Sequence, residues 1–185
     1  MCTAFTHAFV AAAGGLAVFG PRMPARFWVL SIACSAGPDL DVALHSFGVE
    51  YADPWGHRGM THSLFFAAVL SVLVVSAAFR WDAPWLGRRW WALVAYFFVL
   101  TASHGFLDAF TDGGLGIAFF APFTDARYFL PVRNVEVAPL AISAFFTQRG
   151  IEIMKSEMLW IWLPWLGVAG ATWCVMRARD RMETT

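Results

Sequence analysis

The segment His104-Gly-Phe-Leu-Asp108 sets an imidazole and a carboxylate four residues apart. On an α-helix that spacing stacks both side chains on one face, where they can grip a single metal ion. Asp39-Leu-Asp41 follows Gly37-Pro38. Residues two apart diverge on a regular helix, but a glycine–proline break frees the backbone and lets two carboxylates converge. "GHRGMTHSL" adds His57, Arg58 and His62 at the mouth of an apolar run, and His7 lies inside the first one. Imidazole with carboxylate suits zinc or another first-row divalent ion. The four to six donors in these segments suffice for one ion and are compatible with two. A metal pair would clamp the attacking and leaving oxygens of a phosphoester displacement.

Each of these residues also has a plainer use. His7 can be an interfacial or packed histidine. His57 can orient Arg58 or a carboxylate. Asp39-Leu-Asp41 can cap a helix or relay a proton, and His104 with Asp108 can form a buried ion pair. Thr61 or Ser63 can cap the helix that follows.

The elements that must carry these side chains are apolar. The chain has 185 residues, 59% hydrophobic and 14% charged, with ten Trp and eighteen Phe. Ordinary soluble domains carry about 25% charged residues. This is the composition of an integral membrane protein, and the zero net charge gives no reason to expect a nucleic-acid partner. Cys2, Cys34 and Cys174 stand apart in sequence and read as packing residues. The N-terminal stretch lacks the positive region of a cleaved signal peptide and is expected to stay as the first helix. The expected fold is all-α: one membrane-embedded domain over 1–185, a polytopic bundle of about five transmembrane helices. The spans are expected near 4–19, 27–44, 63–79, 90–110 and 159–176, with an outer loop at 111–157 folding back onto the membrane surface. A bilayer core of ~30 Å sets that length.

Arginine placement gives the orientation. Arg22, Arg26, Arg80, Arg88, Arg89, Arg177, Arg179 and Arg181 fall on one side, eight of the thirteen basic residues. By the positive-inside bias that side is cytoplasmic, the N-terminus outside and the C-terminus inside. At ~1.5 Å per residue, His104 lies ~21 Å and Asp108 ~27 Å up the fourth span, counted from Trp90. Acids and histidines from four segments therefore reach one depth, opposite the arginines. Ionisable groups at such depth are functional candidates, because each costs a few kcal/mol if left facing lipid.

"THAFVA", "GPDLDV", "GHRGMTHSL", "SHGFLDAFTDGG" and "APFTDARYFLP" occur in this order from about residue 5 to residue 133. In this the chain resembles the YdjM-like membrane-bound metal-dependent hydrolases, themselves thought similar to the all-helical zinc-dependent phospholipases C and nucleases. The resemblance implies His7, Asp39, His62, His104 and Asp108 as ligands, with Asp41 and His57 as further ligands or as residues that orient them. The soluble relatives carry more histidine and glutamate ligands downstream. Here no histidine follows His104, so one or two ions fit better than three.

The expected function is a membrane-embedded, metal-dependent hydrolase, with zinc the favoured ion. It would sit in the inner or plasma membrane with its site facing the outside or periplasm. Asp41, or Asp39, would act as general base, with His57 and Arg58 as further catalytic candidates. Arg58, Arg127 and Arg133 lie on the outer side against the charge trend, and guanidinium forks suit phosphate. A phospholipid or other lipid-linked phosphoester is therefore the favoured substrate. The glycines of "TDGGLG" could bring backbone N–H groups to an anion. Ordinary pairing with Asp53, Asp112, Asp125 or Glu136 is the other use for these arginines. Two rivals share the chemistry: a metal-dependent membrane amidase or peptidase, and a metal or ion transporter. Transport calls for acids in both halves of the membrane, and the inner half of the spans holds few.

Overall fold

Thr3 opens the first helix by accepting a hydrogen bond from the Thr6 N–H, and Gly20 ends it with φ +70. The computed structural model describes residues 1–139 and 145–183, so positions 140–144 of the expected outer loop lie outside the described residues. The elements are α1 (Ala4–Phe19), α2 (Ala25–Ala36), a 3-10 stretch (Gly37–Phe47), a 3-10 turn (Met60–His62), α3 (Leu64–Ala78), α4 (Arg88–Ala109), α5 (Gln148–Glu157), a π-turn (Met158–Trp162) and α6 (Leu163–Glu183). Strands are absent among the described residues; two isolated bridges, Thr111–Val135 and Ile117–Tyr128, tie the connection after α4 together.

α2 stops as an α-helix at Ala36, where Gly37-Pro38 removes a backbone donor. The chain then winds for eleven residues as a 3-10 helix. Such runs rarely exceed three or four residues. This tighter stretch carries both Asp39 and Asp41. Ser63 caps α3 by accepting from the Phe66 N–H at 3.0 Å.

α4 is the central element, packed against α2 and α3, while α1 packs on α2 and α6. Phe27, Phe79, Trp90, Leu93 and Phe97 form an aromatic core at the arginine-rich end. The connection after α4 folds back over the other end. The Leu64 N–H donates to the Phe119 carbonyl, and the Ala118 N–H to that of Arg58.

Among the described residues, three helical stretches are long and apolar enough to cross a membrane: Ala25–Phe47, Arg88–Ala109 and Gln148–Ala178. α1 and α3 are apolar but have only 16 and 15 residues. They are about 24 and 22 Å long, short of the ~30 Å hydrocarbon core. The last helix also starts at Gln148, earlier than the expected 159. Its first ten residues carry charges that hide it from a hydropathy reading. Its helical period nonetheless buries Gly150, Ile153 and Glu157 on one face.

Candidate metal centre

His104 and Asp108 project from the C-terminal part of α4 and are fully buried. The turn bearing His62 lies directly against them because residue 105 is glycine. A Cβ there would stand 2.9 Å from the His62 carbonyl oxygen. Asp39 enters from the 3-10 stretch.

Asp39, His62, His104 and Asp108 each offer one donor atom, all within 4.8 Å of one another. His62 Nε2 lies 3.0 Å from His104 Nε2. Asp39 Oδ1 is 3.3 Å from His104 Nε2 and 3.6 Å from His62 Nε2. Asp108 Oδ2 is 3.8 Å from His62 Nε2. Ligands about 2.1 Å from a tetrahedral ion stand about 3.4 Å apart. These separations scatter around that edge, so the buried Asp/His group could hold a metal ion.

The surrounding hydrogen bonds aim the donors. His104 Nδ1 contacts the Ser35 carbonyl at 2.7 Å, which turns Nε2 to the centre. His62 Nδ1 contacts Asp41 Oδ2 at 3.2 Å and leaves its Nε2 facing the same point. Asp108 Oδ1 accepts from the Cys2 N–H at 2.6 Å. Both His7 nitrogens, both Asp39 oxygens and Asp108 Oδ2 are buried without a hydrogen-bond partner. Leaving such groups unpaired costs about 1–3 kcal/mol each, and a cation among them removes that cost. His7 stacks on His104 with ring centroids 3.9 Å apart, and its Nε2 is 3.6 Å from Asp108 Oδ1. His62 lies on the short turn ahead of α3. Burial alone would lower its imidazole pKa, but its contacts with the Asp39 and Asp41 carboxylates push it up to about 9.

Asp41 and His57 form a second group that shares His62. The Asp41 carboxylate is well occupied: His57 Nδ1 lies 2.7 Å from Oδ1, and the Thr61 hydroxyl donates to Oδ2 at 2.5 Å. Thr61 thus serves Asp41, while Ser63 alone caps α3. His57 Nε2 is buried and unpartnered. The ring lines a cavity of about 250 Å³ together with Asp41, His45, Ser46 and Tyr51. Burial raises the Tyr51 phenol, which stays an O–H donor at neutral pH.

Arg58 and Arg127 are engaged within the protein, and Arg133 is exposed. Arg58 is fully buried, with φ +67. It donates to the Gly113 carbonyl at 2.7 Å and to the Thr111 hydroxyl at 2.9 Å, and its Nε lies 3.4 Å from Asp108 Oδ2. "TDGGLG" wraps this guanidinium: a Cβ on Gly114 would meet it at 2.4 Å. Arg127 donates to the carbonyls of His57, Tyr51, Ala52 and Asp53. Arg133 lies over the Phe129 ring at 4.5 Å.

Sequence reasoning missed Glu157. It is fully buried and accepts from the Thr3 N–H at 2.6 Å and from the Thr3 and Thr6 hydroxyls at 2.5 Å each. It ties the last helix to the start of α1, one residue before His7. The signal available was a lone acid at the edge of an apolar helix.

The chain is 39% identical over 173 residues to the inner membrane protein YbcI of Escherichia coli (strain K12), covering 94% of this chain and 98% of that protein. No solved structure matches it. The model of the YdjM inner membrane protein family matches residues 1–181, and the chain belongs to that family.

Proposed function

We propose that the chain is a membrane-embedded, metal-dependent hydrolase acting on a phosphoester of a phospholipid or lipid-linked substrate. The observation that carries this reading is the convergence of four buried donors beside His57, whose ring lines a cavity and whose Nε2 is buried without a partner. Asp39, His62, His104 and Asp108 would hold a divalent ion, zinc by donor chemistry, with His7 as a further donor. Such an ion supplies Lewis-acid polarisation of the scissile group and acidifies water.

The protein's own groups do the rest. Asp41 fixes His57 with its Nδ1–H on the carboxylate. His57 Nε2 can then take a proton from the attacking water and return it to the leaving oxygen. Arg58 braces Asp108 rather than gripping substrate, so anchoring the phosphate would fall to the ion that these donors could hold. Leu40 and Phe47 flank the cavity segment and are 76% and 83% exposed, a surface suited to a lipid substrate. The arginine bias of the opposite end supports a site at the outer face.

The test is metal analysis of the purified chain combined with a screen of lipid phosphodiesters, with His62→Ala and His104→Ala as controls. Release of a phosphorylated headgroup by the wild type alone supports the reading. Release of free fatty acid, or cleavage of amides only, overturns the phosphoester assignment.

A further inference from the structure

The end of the bundle remote from the metal centre has a second feature. α1 and α6 leave between them a groove of about 530 Å³, lined by Ala13, Ala17, Leu166, Ala169, Gly170 and Trp173. It adjoins a space of about 380 Å³ at the arginine-rich end, which shares Leu16, Ala17, Trp173 and Arg177 with it and is also lined by Arg22. Among the described residues, no carboxylate lines either space. Among the described residues, the arginine ion pairs are those of Arg26, Arg58 and Arg149, not of these two. The Arg177 guanidinium stacks on Trp173 at 4.2 Å, which holds its charge at the groove mouth.

We propose that this groove binds one acidic phospholipid of the surrounding bilayer, its phosphate between Arg22 and Arg177 and an acyl chain between α1 and α6. The apolar part runs from Leu166 to Arg177, about 16 Å along α6, in the direction a lipid tail takes into the membrane. Two unpaired arginines at the headgroup level select an anionic lipid over a zwitterionic one. Basic pockets between membrane helices bind acidic headgroups in this manner.

The test uses the full chain in mild detergent, offered equal phosphatidylglycerol and phosphatidylcholine, with retained lipid read by native mass spectrometry. Phosphatidylglycerol is expected to be kept in preference. At about fivefold per arginine, Arg22→Gln with Arg177→Gln lowers that preference by about 25-fold. Arg88→Gln with Arg89→Gln, exposed arginines at the same end but outside the groove, leaves it unchanged. A Cβ at residue 170 meets nothing within 4 Å, so Gly170→Leu starts its side chain from open space in the groove and obstructs it. It should expel both lipids, and it decides the matter even if the arginine pair variant folds poorly. Equal retention of the two lipids by the wild type overturns the proposal. So does an unchanged preference in the Arg22/Arg177 variant, or full lipid retention by Gly170→Leu. None of these outcomes bears on metal content or hydrolysis.

Discussion

His62 and His104 point their Nε2 atoms at each other across 3.0 Å, from segments 42 residues apart. Only one hydrogen fits between two such nitrogens. In the metal-free protein a proton bridges them, and a divalent ion would take its place. The purified chain should bind one divalent ion tightly. His104→Ala should weaken binding by more than the roughly 10–100-fold that losing an outer hydrogen-bond partner costs. Equilibrium competition with a chromogenic chelator measures this.

Asp41 tests the outer layer of the same site. It steers the Nδ1 side of both His57 and His62. Asp41→Asn keeps the shape but weakens the grip on both rings. Metal affinity should fall about 10–100-fold while one ion still binds at saturation. A complete loss of binding would make Asp41 a direct ligand instead.

The pH dependence follows from His62. Its pKa of about 9 in the folded, metal-free protein exceeds the ~6.5 of an unfolded histidine. The proton therefore stabilises the metal-free fold below about pH 6.5, and that contribution is lost as pH rises through about 9. Metal must displace the same proton. Affinity should then rise by up to about tenfold per pH unit until the ring is neutral. Calorimetry in buffers of different ionisation enthalpy should show close to one proton released near pH 7.5.

The legible part of this molecule was local and chemical. A four-residue spacing put His104 and Asp108 on one face of α4, and Gly37-Pro38 ended α2, because both follow from helix geometry alone. The long-range parts were not legible. Arg58 read as a phosphate binder because exposed guanidinium suits anions, yet its fork is filled by Gly113, Thr111 and Asp108. That depends on a loop more than fifty residues away, and no local pattern encodes it. The early start of the last helix was hidden because hydropathy discounts Gln148–Glu157, whose buried face is narrow. Glu157 was missed for the same reason.

Gly105 sets how closely the His62 turn approaches α4. A methyl group there would sit 2.9 Å from the His62 carbonyl and 3.3 Å from the Phe119 ring. Overpacking of this kind typically costs about 1–3 kcal/mol. Gly105→Ala should lower thermal stability in detergent by that amount. It should also weaken metal binding, since the displaced backbone carries a donor. Wild-type affinity in a destabilised Gly105→Ala protein would mean that the donors tolerate more slack than this packing suggests.

Glu157 joins the fold to the site. Its carboxylate accepts three hydrogen bonds from Thr3 and Thr6, and the Trp162 indole N–H donates to Thr6 at 2.7 Å. Cys2 and His7, on either side, contact Asp108. Glu157→Ala strands buried donors, each costing about 1–3 kcal/mol, and should destabilise the chain with or without metal. Glu157→Gln keeps an acceptor for the Thr3 N–H, and the threonine hydroxyls can turn to meet its amide, so its loss should be smaller. If Glu157 only staples α5 to α1, both variants will bind metal normally once folded. If it also sets the register of Cys2 and His7 on Asp108, metal affinity falls in step with stability, and Gln restores both. Paired melting curves in chelator and in excess metal separate these outcomes, and we expect the second.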